Sequence, residues 1–104
     1  MADFHIEKWR EDHAPNAAML RHILVSQGYC VFQWSDLPET IYVLHLDSKD
    51  QLYWIISGSL EIMIDGISYV LETGERGLLP AETWHSARVV GEETVVYLIG
   101  EKTE

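Results

Sequence analysis

His45 and Asp47 stand two residues apart in a run rich in strand formers, Thr40–Asp47. Alternation with period two sends both side chains to one face of a strand. Gln51 follows across a short turn, Ser48-Lys49-Asp50, and His85 lies much further along in another such run, Trp84–Val90. Two imidazoles and a carboxylate are borderline donors without thiolate, suited to a divalent first-row metal such as Fe, Mn, Ni or Zn. An H-x-D pair with a distant histidine is the pattern of a facial two-histidine, one-carboxylate site, which leaves positions open for substrate or dioxygen. The other reading of these residues is a hydrogen-bonded polar cluster. Ile41 and Val43 share the predicted face of His45, marking it as interior, while Thr83, Ala87 and Val89 share that of His85 and are small enough to leave room for a ligand. A buried Asp47 carboxylate then requires a metal, a protonated histidine or strong hydrogen bonds. Tyr53, one alternation beyond Gln51, is expected to line the same interior and touch a ligand's hydroxyl or carbonyl.

Remaining candidates have blander readings. Arg76, near an expected rim, would neutralise a substrate carboxylate or simply stand in solvent. His5, His13 and His22 fall in the N-terminal segment, where exposure is the expectation. Cys30 alternates with Phe32 and Trp34 and reads as a small buried hydrophobe. The chain lacks a nucleophile elbow and a phosphate-cradling glycine loop.

The elements that must position these residues divide into a preamble, residues 1–28, and a β-rich remainder, 29–104. Phe4 and Ile6 alternate with His5 and Glu7, suggesting a short strand. Asn16 is a fitting N-cap for a helix over about 16–27, with Ala17, Leu20, Ile23 and Leu24 at helical spacing and Gly28 as a left-handed stop. Strands are expected at Tyr29–Trp34, Thr40–Asp47, Gln51–Ser57, Leu60–Ile64, Ile67–Leu71, Arg76–Leu79, Trp84–Val90 and Thr94–Ile99. Asp65-Gly66 between two of them predicts a type I′ hairpin. Short strands with regular turn punctuation point to an all-β sandwich or barrel. The runs 40–47 and 51–57 are apolar on both faces, so the second face must meet the helix or another subunit, and a homodimer is expected.

Composition narrows the partners. The chain has 104 residues, with 7 Lys and Arg against 17 Asp and Glu, a net charge of −10. That charge disfavours phosphate backbones and anionic membranes, leaving a small molecule as the expected ligand. One cysteine excludes an internal disulfide and a multi-thiolate zinc site. No signal-peptide pattern opens the sequence, so a reducing cytoplasm is the expected setting.

Glycine and proline spacing adds a resemblance. His45-x-Asp47-x3-Gln51-x6-Gly58 and Gly74-x5-Pro80-x4-His85 resemble the two signature motifs of the cupin superfamily, G-x5-H-x-H-x(3,4)-E-x6-G and G-x5-P-x-G-x2-H-x3-N. The stretches Tyr53–Glu61 and Leu78–Ser86 look like the same family, and the likeness runs over roughly residues 30–100. It implies a double-stranded β-helix, a jelly-roll barrel with a site in its mouth. The departures are Glu39 and Glu82 in place of glycines, Val89 in place of asparagine, Asp47 in place of the second histidine and Gln51 in place of glutamate. Four positions carry over as metal ligands: His45, Asp47, Gln51 and His85, with Gln51 a weak neutral donor or an outer contact. The chemistry this implies is oxygenase-like or isomerase-like. The alternative is a non-catalytic ligand-binding or sensing module with a degenerate metal site, or an inert structural dimer.

Overall fold

Short apolar runs cut by turn residues become nine strands and one helix in the computed structural model, which describes residues 4–102. In chain order they are β1 (His5–Glu7), α1 (Ala17–Ser26), β2 (Tyr29–Asp36), β3 (Ile41–His45), β4 (Gln51–Ser57), β5 (Ser59–Ile64), β6 (Ile67–Leu71), β7 (Arg76–Leu79), β8 (His85–Val90) and β9 (Val95–Lys102). They form two antiparallel sheets, β1-β7-β4-β9-β2 and β3-β8-β5-β6, the all-β double-stranded β-helix expected. Asn16 caps α1, its side-chain oxygen accepting from the Met19 N–H at 3.0 Å. Asp65 and Gly66 both adopt positive φ, 53° and 76°, as a type I′ turn between β5 and β6 demands. Among the described residues no helix is long and apolar enough to cross a membrane.

Two cores hold the molecule. Tyr53 and Ile55 of β4, Leu60, Ile62 and Ile64 of β5, and Val95 and Tyr97 of β9 fill the space between the sheets, with Phe4 at the edge of this core. Gly77 leaves room for the Phe4 ring there: a Cβ would push that ring aside. The opposite faces of β4 and β9 present Leu52, Trp54 and Leu98, which are buried under Leu20 and Leu24 of α1. The helix therefore accounts for the second apolar face of β4 without another subunit.

β3 departs from the expected alternation. Tyr42 pairs with Ala87 but His45 pairs with His85, so the residue numbers sum to 129 and then 130. One extra residue has entered β3 as a β-bulge. The bulge turns Tyr42 and His45 toward the interior and leaves Ile41 and Leu44 exposed, with Val43 76% exposed. Ile41 and Val43 thus do not mark the interior. Cys30 is also exposed rather than buried, because β2 is a sheet edge whose inward-facing Phe32 and Trp34 remain 46% and 48% exposed.

Candidate metal centre

His45 ends β3 and His85 opens β8, directly opposite in the ladder, with ring centroids 4.3 Å apart. Asp47 lies just past β3 and joins them: its Oδ2 is 3.6 Å from His45 Nε2 and 3.8 Å from His85 Nε2. All three donor atoms fall within 4.8 Å of one another. The two loops that carry them are stitched together. The Glu82 N–H donates to the Asp47 carbonyl at 2.8 Å, and the Ala81 N–H donates to Asp50 Oδ1 at 2.7 Å. Glu82 makes its bond from a left-handed conformation, φ 63°, and Glu39 before β3 has φ 73°.

Both imidazoles are oriented the same way. His45 Nδ1 lies 2.7 Å from the Val43 carbonyl and His85 Nδ1 lies 2.9 Å from the Thr83 carbonyl. A carbonyl only accepts, so each Nδ1 carries the proton and each Nε2 is left with a lone pair. A backbone carbonyl on the far nitrogen is the common second support of a metal-ligating histidine. His85 is 1% exposed, and its Nε2 is buried without a hydrogen-bond partner among the described residues. An orphaned buried acceptor costs about 1–3 kcal/mol. Burial holds the His85 pKa below the ordinary histidine value; the Thr83 bond and Asp47 oppose the shift, while His45 adds to it. The ring is therefore neutral at pH 7, as a ligand must be. Donors 2.0–2.2 Å from a shared ion lie about 3–4 Å from one another, so this trio fits a divalent cation after a small contraction.

Asp47 is not buried as expected. Its side chain is 37% exposed and that of His45 42%, so water screens the carboxylate at the mouth. The argument for a cation rests instead on His85 Nε2.

The pocket beside the trio holds about 150 Å³ and is lined by Trp34, Tyr42, Gln51, Tyr53, Ala87, Tyr97 and Ile99 with His45, Asp47 and His85. Gln51 does face this pocket, but its amide is engaged at both ends: Oε1 accepts from the Tyr53 hydroxyl at 3.0 Å and Nε2 donates to Glu101 Oε2 at 2.8 Å. Burial pushes the Tyr53 pKa well above that of an ordinary tyrosine, with Asp47 and Glu101 adding to it, so the hydroxyl stays a donor. On the opposite wall buried Asp36 accepts from the Tyr42 and Tyr97 hydroxyls, each at 2.7 Å, and ties the ends of the two sheets together. Burial, with Asp36 second, raises the Tyr97 pKa in the same way.

Arg76 plays no part here. It donates to Glu7 at 2.6 Å and lies over the Trp54 ring, 4.8 Å from its centroid, on the side of the sheet that α1 covers. His5, His13 and His22 are exposed and away from the pocket. The residues not foreseen were Trp34, Asp36, Tyr42, Tyr97 and Glu101. Tyr97 shares a strand parity with Val95 and Ile99 and was legible on that ground. Asp36 and Glu101 sit beyond the expected ends of their strands, and Tyr42 was concealed by the bulge.

Residues 34–100 match the family model described as Cupin domain. A cupin-2 domain protein from Shewanella frigidimarina is similar in structure, with TM-score 0.63 and 19% identity over 73% of this chain and 72% of that one. A conserved protein of unknown function from Streptococcus pyogenes has TM-score 0.63 and 27% identity over 75% and 68%. A DMSP lyase from Ruegeria pomeroyi has TM-score 0.66 and 17% identity, over 74% of this chain and 39% of that one. No curated protein matches the chain in sequence.

Proposed function

The chain belongs to the cupin domain family, and from that premise we propose that it holds a divalent first-row metal between Nε2 of His45, Nε2 of His85 and a carboxylate oxygen of Asp47. The observation that carries this is the buried, unpartnered Nε2 of His85, held by Thr83 so that its lone pair faces the other two donors. Fe, Mn, Ni and Zn all suit such donors. A bound ion would supply Lewis acidity at open positions facing the pocket.

The chain's own residues select the ligand. At about 30 Å³ per water, the pocket equals roughly five waters, below the range for drug-sized ligands. Its lining includes no Lys or Arg, so a substrate carboxylate or phosphate finds no side-chain counter-ion. The occupant is a small molecule that offers an oxygen to the bound ion, the site's own positive charge, with the Tyr53 hydroxyl beside it and Trp34 and Ile99 against its apolar part. Oxygenase-like or isomerase-like chemistry fits this arrangement, and a relative in fold is a lyase by name. A cytoplasmic setting accords with the lone exposed cysteine.

The second reading, a ligand-binding or sensing module, is favoured by Gln51. Both ends of its amide are already engaged, so the site has three donors rather than four. Elemental analysis of protein purified without a histidine tag tests the first reading, followed by titration of stripped protein with Fe²⁺, Mn²⁺, Ni²⁺ and Zn²⁺. One equivalent that Asp47→Asn and His85→Ala each abolish is expected. A folded protein that takes up none of the four overturns the metal reading and leaves the second.

A further inference from the structure

Every phenolic proton on the pocket wall already has an acceptor. Three tyrosines line the pocket, Tyr42, Tyr53 and Tyr97, and each hydroxyl carries one proton. Tyr42 and Tyr97 both give theirs to Asp36, at 2.7 Å each. Asp36 is buried and makes no ion pair among the described residues, so the two phenols are what satisfies its charge. Bonds to a carboxylate are roughly twice as strong as neutral ones, and withdrawing either would leave a buried charge short of a donor. Tyr53 is committed by a different route. The Glu101 carboxylate only accepts, so Gln51 turns its amide nitrogen to it, at 2.8 Å, and its oxygen to the Tyr53 hydroxyl, at 3.0 Å. The second amide proton sits on that same nitrogen, turned toward Glu101, which does not line the pocket. Both imidazoles have spent their Nδ1 protons on backbone carbonyls. Among the lining side chains the Trp34 indole N–H is left, on the half-exposed edge. The buried part of the wall, Tyr53, Tyr97 and His85, offers lone pairs and no proton.

A wall of acceptors selects a ligand that brings its own donors. We propose that the site takes a small vicinal diol, one hydroxyl oxygen on the bound ion and the neighbouring hydroxyl donating to a tyrosine oxygen, and that Asp36 and Gln51 set this choice by holding the tyrosine protons. This rests on the pocket being the ligand site of the proposed function. The donor rule belongs to the wall and holds with or without the ion, since the metal-free trio also presents lone pairs. A ketone, ether or carboxylate oxygen would meet the tyrosine oxygens lone pair to lone pair, leaving buried polar atoms unmatched. A hydroxyl turns its proton to whichever acceptor is nearest. An ammonium would supply donors too, but a divalent ion beside it repels it. Burial holds the pKa values of Tyr53 and Tyr97 well above that of an ordinary tyrosine, so both keep their protons near neutral pH. The pocket, about 150 Å³, admits a molecule of this size with Ala87 and Ile99 against its carbon skeleton.

Three isomers of one formula isolate the donors. Butane-1,2-diol has two, 1-methoxypropan-2-ol has one and 1,2-dimethoxyethane has none, and each carries its oxygens on neighbouring carbons. NMR titrations of Zn²⁺-loaded and metal-free protein, followed at the Ala87 and Ile99 signals, compare them. The diol is expected to bind about tenfold more tightly than 1,2-dimethoxyethane, with the mono-ether between. Equal affinities or the reverse order overturn the proposal, as does a diol that leaves both signals unshifted at any concentration the fold tolerates. Asp36→Asn gives one phenol a donor where it had an acceptor, which returns that tyrosine's proton to the pocket, so the preference should narrow severalfold. A variant with native circular dichroism that keeps the full preference removes Asp36 as its cause and overturns the proposal too. If Asp36→Asn does not fold, the wild-type series decides alone. Protein that takes up no Zn²⁺ yet prefers the diol refutes the metal reading and supports the donor rule; protein that takes up Zn²⁺ and prefers the ether does the reverse.

Discussion

β8 and β3 bring one histidine each to the same point by opposite means. In β8 the alternation is regular: His85, Ala87 and Val89 face inward, and His85 is held almost out of contact with water. In β3 an inserted residue breaks the alternation, the strand lies at a sheet edge, and His45 remains 42% exposed. The same imidazole is thus a rigid, desolvated donor on one side and a solvated one on the other. The buried member sets the site's chemistry, since burial keeps it neutral and leaves its Nε2 without a hydrogen-bond partner among the described residues. The exposed pair, His45 and Asp47, can adjust to whatever enters.

The largest expected effect is on the buried member. His85→Ala should weaken metal binding by more than the roughly 10–100-fold that outer contacts produce, measured by calorimetric titration against wild type. Retention of wild-type affinity would place the ion elsewhere. Its metal-free form should also melt lower than that of His45→Ala, because only His85 leaves a cavity when truncated.

A deletion addresses the bulge. Removing Val43 leaves Tyr42 and His45 two residues apart, so plain alternation turns both inward and the ladder to Ala87 and His85 runs unbroken. Metal affinity is expected within about tenfold of wild type, about 1.4 kcal/mol. A loss as large as that of His85→Ala would show that the bulge itself shapes the site.

Acidification probes the burial of His85. Its folded pKa lies below the unfolded value near 6.5, so the unfolded chain takes up the proton first. Its contribution is fully present above about pH 6.5, declines as pH falls below that, and is gone below the folded value. Melts of metal-free wild type and His85→Gln should therefore run parallel above pH 6.5 and converge or cross below it. A constant difference down to pH 5 would refute the desolvation argument.

The smallest effect concerns the turns that precede the two strands. Glu39 and Glu82 occupy left-handed conformations that cost a non-glycine residue about 1–2 kcal/mol, offset by the roughly 0.5–1 kcal/mol of extra freedom that glycine brings to the unfolded chain. Glu39→Gly and Glu82→Gly should each stabilise by about 0.5–1 kcal/mol in denaturant titrations. Destabilisation by Glu82→Gly would mean that its side chain supports the loop beyond its backbone bond to Asp47.

The sequence by itself determined the strand menu, the Asn16 cap and the Asp65-Gly66 turn, while the meeting of His45, Asp47 and His85 was legible through the motif resemblance and is made by the β3 bulge and its register with β8. Each of the first three depends on local chemistry alone. Only the tertiary structure decided which faces are inside. The inserted residue in β3 has no local signature, yet it reversed the reading of Ile41 and Val43 and hid Tyr42. The double-sided apolar pattern of β4 and the similar pattern of β3 look alike along the chain, but α1 reaches one and not the other. Cys30, Phe32 and Trp34 obey the alternation of an interior strand and still meet water. Burial is a property of what lies opposite, and alternation reports only that two residues point the same way.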